Sequence, residues 1–117
     1  MRVHDGRLPV DMYHGSRQEM RPGDEITPDH PSATSAGTSG WVYATPLITL
    51  AWLVAEYKPH AGPPRVYEVT PTGRLRPDPE MRESYRSRSP LTVVRELSTE
   101  DIESAMADRW GKSALWG

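Results

Sequence analysis

Prolines and glycines interrupt this chain so often that long regular elements are ruled out. Twelve Pro and nine Gly fall among 117 residues, and each Pro fixes φ and removes a backbone donor. The folded form is therefore expected to consist of short strands and helices joined by many turns. A chain of this length is expected to form a single domain over residues 1–117, burying roughly 65% of its extended surface. Phe is absent and only 36% of residues are apolar. The core must come from four Trp, five Tyr and the Leu and Val residues, each large ring bringing on the order of 150–250 Å² of burial.

The formal charge is −2, and Lys and Arg are spread along the chain without a block. That balance argues against a basic nucleic-acid domain. No apolar run approaches the ~18 residues of a membrane span, and residues 1–7 lack the apolar core of a signal peptide. With no cysteine, disulfides, thiolate zinc sites and Cys nucleophiles are excluded. A cytoplasmic location is the expectation.

Residues 1–9 are expected to be a loose arm. Val10 to His14 reads as a first strand ending at Gly15, and Ser16 to Met20 as one helical turn. Arg21-Pro-Gly-Asp24 reads as a turn, because Pro sets φ and Gly supplies the positive φ after it. Pro28 to Gly40 is small and polar, cannot fill a core, and is expected to be a mobile loop placed as a lid. Trp41 to Ala44 reads as a strand. Thr45 then looks like a helix N-cap with Pro46 at the first helical position.

Leu47, Leu50, Ala51, Val54 and Tyr57 recur at helical spacing, predicting one apolar face. Lys58-Pro59 ends that helix. Arg65 to Thr70 is expected as a strand turned by Pro71-Thr-Gly73, and Leu75 to Ser89 as an irregular connection. Leu91 to Leu97 is the clearest strand, rich in β-branched residues. Ser98 and Asp101 form a capping-box pattern ahead of a helix with Ile102, Ala105, Met106 and Trp110 on one face, stopped by Gly111. Strands, a central helix, more strands and a final helix argue an α+β domain.

The chain has no Walker loop, no dinucleotide glycine fingerprint and no His-Glu-x-x-His helix. Its four His (His4, His14, His30, His60) share no ligand spacing, so no metal site is expected. Tyr13-His14-Gly15-Ser16 remains. A His closing a strand beside a Gly lets a ligand approach the backbone, and imidazole offers one donor and one acceptor to a sugar hydroxyl. For an isolated dipeptide, a partly exposed strand-end His is the better reading.

Its company is more specific. Tyr13-His14-Gly15-Ser16, Pro22-Gly23-Asp24 and Val42-Tyr43-Ala44-Thr45 are followed by Arg65-Val-Tyr-Glu-Val-Thr-Pro-Thr-Gly73, Asp78-Pro79 and Ser84-Tyr-Arg-Ser-Arg-Ser-Pro-Leu91. In this order and spacing the set resembles the rifamycin ADP-ribosyltransferases, the Arr family, from Tyr13 to about Leu97. The resemblance implies a compact ADP-ribosyltransferase fold, with two small antiparallel sheets around an NAD cleft. It implies NAD as co-substrate, and His14, Tyr43 and Asp78 as the catalytic set. It further implies that His14 meets the nicotinamide ribose, the Gly15 backbone the carboxamide and the Tyr43 ring the nicotinamide. Tyr85 is a candidate pocket wall.

The residue types suit the reaction independently. Breaking the nicotinamide–ribose bond develops a cation on the sugar, which a carboxylate such as Asp78 stabilises. An aromatic face such as Tyr43 beside a cationic ring adds roughly 0.5–2 kcal/mol. Structural readings stand beside these: Tyr43 as an inward strand aromatic, Asp78 as a turn residue between prolines, and Ser84-Tyr85-Arg86 as a structural corner with Tyr85 packed and Arg86 paired to an acid.

Trp41 stands where the rifamycin enzymes carry His, Thr70 replaces an acid, and the stretch from Pro79 to Ser84 is short. The acceptor is therefore open: a rifamycin, another small molecule, or a protein or nucleic acid modified by a toxin. A catalytically silent NAD-binding module is a further alternative. An RNA 2′-phosphotransferase, which shares the fold and uses NAD, is disfavoured by the modest charge and the lack of an Arg cluster in the sequence.

Overall fold

The computed structural model describes residues 11–28, 40–59 and 61–107. Two antiparallel sheets and two helices make an α+β fold. The first sheet has the order β1 (Met12–Ser16), β4 (Arg65–Pro71), β7 (Leu91–Glu96) and β2 (Glu25–Ile26). The second is built from β3 (Val42–Ala44), β6 (Tyr85–Ser87) and β5 (Arg76–Pro77). Helix α1 (Ile48–Tyr57) follows β3, and α2 (Thr99–Met106) follows β7.

Alternation along the strands divides the core in two. Met12, Tyr67, Val69, Leu91 and Val93 of the first sheet pack with Ile26 and with Val42 and Ala44 of the second. On the other side of the first sheet, Val66 and Leu97 meet Ala51 of α1 and Ile102 of α2. The first sheet is thus the middle layer, with the second sheet on one face and the helices on the other.

Tyr67 is fully buried, and its hydroxyl donates to Gln18 O while accepting from Met20 N–H. Those bonds tie Gln18 and Met20 to β4. The helical turn expected over Ser16–Met20 is therefore absent: Ser16 ends β1, and the Ser16 hydroxyl accepts from Gln18 N–H. The turn at Arg21–Asp24 forms as expected, with Asp24 N–H on Arg21 O and Gly23 at φ +93.

Thr45 does not cap α1. It exchanges two backbone bonds with Tyr13, which keeps it in the sheet, and the cap position falls to Leu47 without a side-chain bond. The Thr45 hydroxyl instead accepts from Leu47 N–H and donates to Glu83 O. The buried side of α1 also differs from the expected one. Thr49, Ala51 and Ala55 are buried, whereas Tyr57 is 85% exposed. With only Thr49 and Glu56 polar, α1 carries little periodic signal to choose a face; the small residues Ala51 and Ala55 choose it, because β1 packs closely there. The helix stops at Lys58, as Pro59 requires.

The Leu75–Ser89 stretch is not irregular, since it supplies β5 and β6. Ser84-Tyr85-Arg86, read as a corner, runs into β6. The Ser98–Asp101 capping box forms with both reciprocal bonds. The expected arm at residues 1–9, the interior of the Pro28–Gly40 loop, and Trp110 and Gly111 lie outside the described residues.

Candidate functional site

His14 sits in β1 opposite Tyr67 of β4 and is 8% exposed. Its Nδ1 lies 2.7 Å from the carbonyl oxygen of Tyr43. A carbonyl can only accept, so Nδ1 carries the proton, and in the neutral ring Nε2 presents a lone pair. This contact, with the Tyr13–Thr45 bridge, ties the end of the second sheet to the edge of the first.

Gly15 is required for a different reason from the one its sequence context suggests. A Cβ there would overlap the Ala51 carbonyl oxygen and approach Ala55 N to 2.9 Å. The close backbone approach is therefore made by α1. The Gly15 carbonyl accepts from Lys58 Nζ at 2.7 Å. Burial of that ammonium lowers the Lys58 pKa to about 8. Arg17 completes the same corner, donating to Ala55 O, Glu56 O and Gly62 O. It thereby satisfies the carbonyl end of a helix with no basic residue in its own last turn.

Across the second sheet, Tyr43 pairs with Arg86 and Arg86 with Arg76, while Ala44 pairs with Tyr85 and Tyr85 with Pro77. Paired residues share a face. Tyr43, Arg86 and Arg76 therefore lie on one face, and Ala44 and Tyr85 on the other, where Tyr85 packs against the core. Asp78 follows β5, and its N–H donates to Ser84 O, extending the ladder by one step. Its Oδ1 accepts from Glu80 N–H. By alternation Asp78 has the parity of Arg76, two strands from β3 and so about 10 Å away across the sheet. The structure joins His14 to the Tyr43 backbone, sets Asp78 across the same sheet, and turns Tyr85 to the opposite face from Tyr43.

A family model described as rifampin ADP-ribosyl transferase matches residues 12–100. The chain belongs to that family. No curated protein matches it significantly. The matched span starts at the first residue of β1 and reaches into α2, so it takes in both sheets and every residue of the expected site. The family carries transfer of ADP-ribose as its activity. Among the described residues, no group of three or more His, Asp or Glu is placed to hold a metal ion, and no helix is long and apolar enough to cross a membrane.

One feature of this family member was not legible in the linear sequence. An open groove of about 790 Å³ runs beside β5 and β6, lined by Trp41, Arg74, Arg76, Pro79, Arg86 and Arg88 among others. The Arg86 and Arg88 guanidinium carbons lie 3.9 and 4.1 Å from the Trp41 ring centroid. Arg86 thus stacks on an aromatic ring and takes no acid partner among the described residues. The expected absence of an Arg cluster is also corrected: the fold collects four arginines around the groove, two of which, Arg76 and Arg86, are paired across β5 and β6. Two Arg-x-Arg pairs at strand spacing were the available signal.

Proposed function

We propose that this family member is a single-domain mono-ADP-ribosyltransferase, cytoplasmic in keeping with its lack of cysteine, that moves ADP-ribose from NAD to a hydroxyl acceptor and releases nicotinamide. A rifamycin is the first acceptor to test, given the family. The observation that supports this most directly is the bond from His14 Nδ1 to Tyr43 O. It fixes the imidazole tautomer and the ring orientation of a buried His14 at the junction of the two sheets, the preorganisation that a residue orienting a ribose needs.

In this reading His14 orients the nicotinamide ribose, the Gly15 backbone meets the carboxamide, and the Tyr43 ring lies against the nicotinamide. The bond that breaks joins the ribose anomeric carbon to the nicotinamide nitrogen, and nicotinamide leaves with the electron pair. Asp78 stabilises the positive charge developing at that carbon and accepts the proton of the attacking hydroxyl. The acceptor oxygen forms the new bond.

Incubating the chain with NAD and rifampicin, and following nicotinamide release and adduct mass, tests the proposal. The wild-type chain is expected to turn over, and His14→Ala and Asp78→Asn each to lower kcat by about 10²-fold or more with the fold retained. NAD binding by calorimetry without turnover on any acceptor would identify a silent module instead.

A further inference from the structure

We propose that the groove formed by Trp41, Arg74, Arg76, Arg86 and Arg88 is a phosphate-binding site, taking the diphosphate or phosphate monoester of a ligand.

The sequence sets up the cluster through two Arg-x-Arg pairs, Arg74/Arg76 and Arg86/Arg88. Arg76 lies in β5 and Arg86 in β6, while Arg74 precedes the one strand and Arg88 follows the other, and all four line the groove. The register then places Arg76 directly opposite Arg86 across β5 and β6. Like charges in facing positions destabilise a sheet, so packing offers no reason for this arrangement.

Nor do acids relieve it. Arg65 pairs with Glu96, and Arg95 with Glu68 and Asp101, but none of the four groove arginines joins an ion pair among the described residues. Arg86 Nε is buried with no hydrogen-bond partner there. Burying such a donor is costly unless something accepts from it. Trp41 supports the Arg86 and Arg88 guanidinium groups through its ring face. Stacking orients those planes while leaving their N–H edges to an oxyanion, and a guanidinium fork matches phosphate oxygens two at a time. Four cations converge in this way on a chain whose net charge is −2. The groove volume, about 790 Å³, is within the usual range of ligand pockets.

Two sources of phosphate fit this chemistry: the diphosphate of a dinucleotide co-substrate, and a phosphate carried by the acceptor. The first rests on the function proposed above; the second makes the acceptor a phosphorylated molecule. Tyr43, paired with Arg86, puts the groove beside the expected nicotinamide position in either case.

Titrating the full chain with inorganic pyrophosphate, by calorimetry at low and high NaCl, tests the site without relying on catalysis. Binding is expected, weakening as salt rises. Arg88→Gln and Arg86→Gln should each weaken it about 10-fold or more, the effect of losing one charge-assisted contact. Arg82→Gln, exposed and outside the groove, should leave it unchanged. His14→Ala should also retain it, which separates phosphate binding from transfer chemistry. Displacement of pyrophosphate by ADP-ribose assigns the site to the co-substrate; binding that persists at saturating ADP-ribose assigns it to the acceptor. Absence of pyrophosphate binding overturns the proposal, as does equal binding by wild type and Arg88→Gln, an exposed position whose variant is expected to fold even where Arg86→Gln does not.

Discussion

Basic side chains at two corners of the molecule are treated in opposite ways. At the C-terminal end of α1, Arg17 and Lys58 spend their donors on backbone carbonyls: Ala55 O, Glu56 O and Gly62 O for the first, Gly15 O for the second. At the second sheet, Arg74, Arg76, Arg86 and Arg88 gather around a groove without forming an ion pair among the described residues, two of them over one indole ring. The α1 corner is closed, its cations holding β1 against the helix. The groove holds charge in reserve. Changes at the α1 corner should therefore cost stability, and changes at the groove should cost binding.

The largest expected effect is at Gly15. Gly15→Ala sets a methyl against the Ala51 carbonyl and Ala55 N, backbone atoms that cannot rotate away. A loss of about 3 kcal/mol or more is expected in urea unfolding. A near-neutral result would show that β1 is not fixed by its contact with α1.

Lys58 gives the next effect, and its sign is specific. Its folded pKa of about 8 lies below the ordinary 10.5 because burial disfavours the ammonium. Between those pH values the unfolded chain binds more protons, so stability attributable to this group rises with pH, by up to about 3 kcal/mol. The stability difference between wild type and Lys58→Met should therefore grow from pH 7 to pH 10.5, in unfolding curves compared pairwise. A flat difference would mean that the amine is solvated, and would weaken the picture of a closed corner.

Tyr67→Phe removes the hydroxyl that serves Gln18 O and Met20 N–H, and a cost of about 1–3 kcal/mol is expected from leaving both unpaired. Thermal unfolding measures it. The smallest effect is Arg88→Gln, an exposed groove residue whose stability should stay within about 0.5 kcal/mol of wild type. Since the same variant is expected to lose phosphate affinity, the two measurements on one protein test the contrast most sharply.

Much of the fold was legible because its signals are short-range. β4 and β7 announce themselves through Val66, Tyr67, Val69, Leu91 and Val93, the Arg21–Asp24 turn through its Pro-Gly pair, and α2 through Ser98 and Asp101. The candidate site was legible differently. His14, Tyr43 and Asp78 were selected by resemblance in order and spacing, and the family match over residues 12–100 supports that resemblance at the level of the family. Their roles remain a proposal. Tyr85, on the opposite face from Tyr43, shows why spacing alone does not orient side chains.

What the sequence determined by itself was the set of local conformations: where φ is fixed by Pro, where Gly23 permits a left-handed backbone, where Pro59 stops α1, and where Ser98 begins α2. Tertiary structure decided the rest. β5 and β6 are two and three residues long, too short for a local pattern, and exist because β3 offers β6 a ladder. The buried side of α1 was decided by the close fit of Gly15 against Ala51 and Ala55, because a mostly apolar helix leaves the choice to shape. The arginine groove follows from the same cause: residues 74 to 88 carry their charges in plain sight, but only the folded chain, with Arg76 in register opposite Arg86, brings four of them to one place beside Trp41.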